Sequence, residues 1–159
     1  MPDDRPGTPA AERVSPTMVG GLAAPAQLGT VVVVDEERRE VQRIARLLGE
    51  AGHHVIVATD GRAALREVFG SNVEPVLLVS AIEMSAMSGI ELAARLSLAR
   101  PGLRVLLMSS DPEALERART HEAMVHGVLL QPFTRHDLRR AVATALAGLD
   151  APDTPDAPR

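Results

Sequence analysis

Val31-Val32-Val33-Val34 runs directly into Asp35-Glu36-Glu37. Four β-branched residues in succession do not alternate with polar ones, so both faces of the segment call for burial. That is the pattern of a central strand in a parallel sheet. Three carboxylates then stand at the strand's exit, the edge where such sheets place their ligand sites. An apolar strand delivering adjacent acids to one edge suggests a pocket for a cation or a phosphoryl group.

The chain has 159 residues, enough for one domain of ordinary size. Residues 1–27 carry Pro2, Pro6, Pro9, Pro16 and Pro25 among Gly, Ala, Ser and Thr, and residues 150–159 repeat that style. Such segments bury too little apolar area to offset chain entropy, so both are expected to be disordered extensions around a folded unit at 28–149. The net charge of −4 is too mild to imply nucleic acid or an anionic membrane. Cysteine is absent, which excludes a disulfide framework and a thiolate metal site. No apolar run approaches a membrane span. The start of the chain lacks the basic-then-apolar order of a secretory signal. A cytoplasmic location is the expectation. All 17 basic residues are arginine, a bias of composition.

Beyond the first strand, Glu37–Glu50 places Val41, Ile44, Ala45, Leu47 and Leu48 on one helical stripe, ended by Gly52. His54–Ala58 reads as a second strand, followed by a helix capped by Asp60 and ended by Gly70. Val76–Ser80 is a third strand, and Ser88 caps a helix from Gly89 to about Ala99. Pro101-Gly102 makes a turn into a fourth strand, Arg104–Met108. Pro112 opens a helix to about Thr120. Gly127–Leu130 is a short fifth strand. Thr134 and Asp137 have the spacing of a capping box for a last helix to about Ala147. Five strand–helix repeats with short connections predict an α/β fold, a parallel five-stranded sheet covered on both faces. Asp35-Glu36-Glu37 replaces the small residues of a dinucleotide-binding loop. The doubly wound, flavodoxin-like order 2-1-3-4-5, with a pocket above strands one and three, fits better.

Four segments then point to one family. Val31–Glu37 resembles the first strand and acidic cluster of response-regulator receiver domains. Met84-Ser85-Ala86-Met87-Ser88-Gly89-Ile90-Glu91-Leu92 is similar to that family's Met-Pro-Gly-Met-Asp-Gly-Leu-Glu-Leu. Leu106-Leu107-Met108-Ser109-Ser110 resembles its fourth strand, and Gln131-Pro132-Phe133 its Lys-Pro-Phe. The resemblance covers residues 30–147. It implies a phosphorelay pocket: two acids for Mg²⁺, an acceptor aspartate, a reporting hydroxyl and a pairing lysine. It puts Asp35 and Glu36 on the acidic pair, Ala81 on the acceptor, Ser109 on the hydroxyl and Gln131 on the lysine. Val128 takes the place of the aromatic residue that reorients on activation. Oxygen-rich ligands suit a hard cation, and phosphoryl transfer needs positioned carboxylates and neutralising charge. A methyl group forms no acyl phosphate. Arginine bias would have put arginine at 131, so it does not explain Gln131.

The expectation is therefore a receiver-like signalling module of the two-component type, not an enzyme, acting by protein binding without phosphorylation. Mg²⁺ is expected to bind weakly or not at all, and no other cofactor is implied. The expected partner is a histidine kinase or an output protein, meeting residues 112–120 and 127–147, with a homodimer also open. Two alternatives stand beside it: a receiver controlled by another modification or a small ligand, and a metal-dependent phosphatase or phosphotransferase on a similar sheet. Individual residues also carry two readings. Asp35–Glu37 is either a residual cation site or a solvated helix start. Glu83 either hangs over the pocket rim as a fixed charge or is an ordinary loop glutamate. Ser109 is either a modification target or a capping hydroxyl. Ser80 faces away from its neighbour Ala81 and is expected to be buried and hydrogen-bonded. His53, His54, His121, His126 and His136 lack metal-ligand spacing.

Overall fold

The computed structural model describes residues 28–150. Of the expected disordered extensions, residues 1–27 and 151–159 lie outside the described residues, whereas residue 150, expected to begin the tail, ends the last helix. Strand β1 (Thr30–Val34) leads to helix α1 (Arg38–Glu50), and β2 (His54–Ala58) to α2 (Gly61–Gly70). β3 (Leu77–Ala81) precedes α3 (Gly89–Ala99), β4 (Arg104–Ser109) precedes α4 (Pro112–Arg119), and β5 (Gly127–Leu130) precedes α5 (Arg135–Asp150). The sheet is parallel, in the order β2-β1-β3-β4-β5.

Val31, Val32, Val33 and Val34 are all 0% exposed, as a non-alternating strand requires. Strand geometry sends their side chains to opposite faces. Val32 and Val34 join Leu78, Val105, Leu107 and Leu115 in the core under α2, α3 and α4. Val31 and Val33 join Ile44, Leu77, Met108 and Leu138 in the core under α1 and α5. Burying a side chain of this size stabilises the fold by roughly 1.5–3 kcal/mol, so β1 fastens both layers to one strand.

Helix starts follow local chemistry. The Asp60 carboxylate accepts the Ala63 N–H at 2.7 Å, and the Ser88 hydroxyl oxygen accepts the Glu91 N–H at 3.1 Å. Thr134 and Asp137 exchange bonds of 2.9 and 3.0 Å, which completes the expected capping box. Several boundaries differ from the sequence reading, among them β4, which runs to Ser109 and not Met108. β3 is shifted one residue to end on Ala81, because Ala81 still pairs with Met108 of β4. α5 continues to Asp150, since no Gly or Pro at 148–150 other than Gly148 interrupts the helix after Ala147.

Gly89 opens α3 directly against the end of β3. Its N–H donates to the Ile82 carbonyl at 2.8 Å. A Cβ at this position would collide with the Ala81 carbonyl oxygen and lie 3.0 Å from Ser80 Oγ. Gly89→Ala is expected to cost about 1–3 kcal/mol of stability, read as a lowered urea midpoint at unchanged slope.

At the other end of the sheet a side chain extends the ladder. The His126 N–H donates to the Val105 carbonyl at 2.8 Å, and the Val105 N–H donates to His126 Nδ1 at 3.0 Å. Burial, and then the nearby Arg104, hold the His126 pKa below its ordinary 6.5; burial does the same to His53. Both rings therefore take up protons more readily in the unfolded chain. Their contribution is fully present above the unfolded value and is lost as pH falls through it toward the folded value. Stability is expected to drop between about pH 7.5 and about pH 5.5, a window that brackets the ordinary histidine value. His126→Asn should flatten that slope, compared by urea unfolding at the two pH values.

Candidate functional site

The sheet register gathers the expected site residues at one edge. Val34 pairs with Ser80, so Asp35 leaves β1 beside Ala81 at the end of β3. Ser109 ends β4 opposite Leu130, and Gln131 follows at the exit of β5. The Gln131 N–H donates to the Ser109 carbonyl at 2.9 Å, extending that pairing by one bond. The bond between Gln131 and Pro132 is cis.

Asp35 is buried, and its Oδ1 accepts the Glu37 N–H at 3.0 Å. Burial raises its carboxyl above the ordinary aspartate value, and the charges of Glu40 and Glu37 add to that. The Glu37 N–H and the Gln131 side chain oppose the rise by hydrogen bonding. Glu37 is the cap residue of α1 but supplies no side-chain bond to it. Glu36 is exposed and reaches across to the loop after β3, where its Oε2 accepts the Ser85 N–H at 2.7 Å. That bond, followed by one from the Ser85 hydroxyl, lowers its pKa.

Ala81 is 6% exposed and presents only a methyl group at the β3 exit. Ser80 is fully buried, and its hydroxyl donates to the Ala81 carbonyl at 2.8 Å, as expected from its opposite facing. Glu83 takes the rim position. Both of its carboxylate oxygens lie 3.0 Å from Ser109 Oγ. The Ser109 hydroxyl has one proton, so it donates to one oxygen at a time while accepting the Asp111 N–H at 2.9 Å. Ser109 is thus a buried junction between the loops after β3 and β4. Val128 is half-buried against the core under α2–α4.

Three partners escaped the sequence reading. Ser85 and Asp111 contribute backbone N–H groups, for which no residue type is a signal. Arg43 lies on α1, with its Nη2 donating to the Phe133 carbonyl at 2.7 Å and its guanidinium 4.8 Å from the Phe133 ring centre. It clamps the segment after Gln131 onto α1. Its spacing of three from Glu40, to which it also pairs at 3.2 Å, was the available clue.

The sequence pattern of the response regulator receiver domain family matches residues 31–143. The chain belongs to that family. As a receiver domain it is 29% identical over 108 residues to the transcriptional regulatory protein TcrA of Mycobacterium tuberculosis, covering 68% of this chain and 42% of that protein. It is 38% identical over 84 residues to the protein-glutamate methylesterase/protein-glutamine glutaminase 2 of Caulobacter vibrioides, covering 52% of this chain and 24% of that one. The chain thus spans less than half the length of either relative. The receiver domain of NarL from Mycobacterium tuberculosis is 27% identical with a TM-score of 0.66, over 77% of this chain and 98% of that one. The chemotaxis regulator CheY4 of Vibrio cholerae shares the fold at a TM-score of 0.67 and 21% identity, over 76% of this chain and all (100%) of that one. The fold and the family are those expected, and the receiver domain is a module of two-component signalling. Among the described residues no helix is long and apolar enough to cross a membrane.

The Glu83–Ser109 contact is testable by a double-mutant cycle of Glu83→Ala and Ser109→Ala. Because Glu83 is exposed, a coupling of about 1 kcal/mol is expected, at the low end for a bond to a charged acceptor. A cycle that closes at zero in urea unfolding would show that the contact contributes nothing.

Proposed function

We propose that this receiver domain acts by binding a protein partner and does so without being phosphorylated. The observation that carries the reading is Ala81 at the exit of β3, the position the family resemblance assigns to the phosphoacceptor. A methyl group has no lone pair to attack phosphorus. Glu83 offers the only side-chain carboxylate in the adjoining turn, residues 82–88, and it is engaged with Ser109. At the lysine position Gln131 gives a neutral amide, and burial raises the Asp35 pKa. The pocket therefore supplies neither an acceptor nor the charge that would pair with a phosphoryl group.

The Mg²⁺ that the family implies does not fit these residues well. Asp35 is occupied by the Glu37 N–H and Glu36 by the Ser85 N–H, with no third carboxylate at position 81. Among the described residues no cluster of three or more His, Asp or Glu side chains is arranged to hold a metal. Affinity for a hard cation follows the number of charged oxygens, so two divided carboxylates give a weak site.

Partner binding is assigned to the face built by α4, β5 and α5, residues 112–120 and 127–147. A groove of about 550 Å³ lies there, lined by Arg119, Val128, Leu130, Pro132, Arg140 and Ala141 among others. Leu130 is 48% exposed within it. An apolar floor with arginine at its edges suits a protein surface that brings apolar side chains and carboxylates, as a histidine kinase, an output protein or a second copy can. Incubation with acetyl phosphate and Mg²⁺ is expected to give no mass increase of one phosphoryl group, and Mg²⁺ titration no sub-millimolar binding. A hydroxylamine-sensitive adduct would overturn the reading.

A further inference from the structure

A second groove, at the opposite end of the sheet, remains outside that function. It has a volume of about 580 Å³, well within the range of ligand-sized sites, about 300–1,000 Å³. Its walls come from α1 (Leu47, Leu48), α5 (Val142, Ala143, Leu146) and the turn before β2 (His53). Leu28, the first described residue, lies at its mouth and is 50% exposed. Its Cδ1 is 3.4 Å from where a Cβ on Gly52 would stand. Gly29, at a φ of +99°, turns the chain there into β1. His53 is 5% exposed. Its ring lines the groove and also has a hydrogen bond with the Gly29 backbone, tying the groove wall to the chain entering β1.

We infer that this groove is the docking site of the chain's own amino-terminal segment, through Met18, Val19 and Leu22. The 27 residues before Leu28 join the fold at the groove's mouth. Leu22 is six positions before Leu28, a reach of up to about 20 Å for extended chain, enough to cross from α1 to α5. Residues 1–27 carry too little apolar surface to fold by themselves, but Met18, Val19 and Leu22 bring apolar side chains that a ready-made groove can take, whereas residues 151–159 offer nothing apolar beyond alanine and proline. A short tether gives an effective concentration in the millimolar range, so modest apolar contact suffices. The docked segment covers Leu28 and pins α5 to α1.

The test uses the full chain, which has no native cysteine to interfere with labelling. A nitroxide on Ser15→Cys is expected to broaden the amides of residues 47–53 and 139–146, and to spare those of 62–70. The broadening should not change on dilution. It should be lost in the same labelled chain carrying Met18→Ser, Val19→Ser and Leu22→Ser. Those three changes should also shift the His53 imidazole nitrogen resonance in the unlabelled protein. The substituted positions lie before the described fold, so the readout does not depend on a core variant folding. Broadening that fades on dilution would assign the groove to a second copy. Uniform or absent broadening, or broadening confined to 112–130, would also overturn the proposal.

Discussion

Everything at the site depends on one constraint, the burial of β1 on both faces between β2 and β3. Because Val31 through Val34 are inaccessible from either side, the strand has one register in which both cores close. A slip of one residue would exchange the two faces and carry Asp35 into the sheet. With β1 fixed, its neighbour β3 must end at Ala81, β4 at Ser109 and β5 just before Gln131. The polar edge is thus a by-product of apolar packing below it. Four loops meet there because four strands stop at the same level.

Above that edge the loops are tied by bonds that cross between them. Glu36 joins the loop after β1 to the loop after β3 through Ser85, and Ser109 joins the loops after β3 and β4 through Glu83. Arg43 joins α1 to the segment after β5. Two of the ties use carboxylates, and Glu36 is one of the acids the family resemblance assigns to Mg²⁺. The acids of this pocket serve as structural acceptors, which agrees with the partner-binding role proposed for the domain. Their exposure keeps each tie individually modest, and the Ser109 junction, 1% exposed, is the best shielded of them.

Much of this was legible in the sequence, for reasons that differ by residue. Strands β1 and β3 read clearly because runs such as Val31–Val34 and Leu77–Val79 admit few other placements. Asp60, Ser88 and the Thr134–Asp137 pair announced their helices because capping is a local chemistry. The strand-exit residues came from the family resemblance, which placed Ala81 and Ser109 one residue beyond where the strand patterns alone ended. The finer geometry was not legible. Glu83 left two readings open because a loop side chain's direction is set by tertiary contacts, and only the approach of Ser109 decided between them. Asp111 meets Ser109 through a backbone N–H common to every residue type, and Ser85 meets Glu36 first through its N–H and then through its hydroxyl, neither of which a loop serine announces. The reading of α5 stopped at Ala147, three residues before its end at Asp150, because Gly148 reads as a stop and the helix passes through it.

The bond from Val105 to His126 fixes more than a strand ending. A neutral imidazole that accepts at Nδ1 must carry its proton on Nε2. His126 also lines the groove between α4 and α5. The sheet therefore selects the tautomer, and the nitrogen it leaves over, Nε2, is a hydrogen-bond donor. Arg119 and Arg140 line the same groove as further donors, and Asp137 as an acceptor, so the partner proposed for this face would meet them together. The polarity of whatever binds there is set, in part, by a backbone N–H on the neighbouring strand.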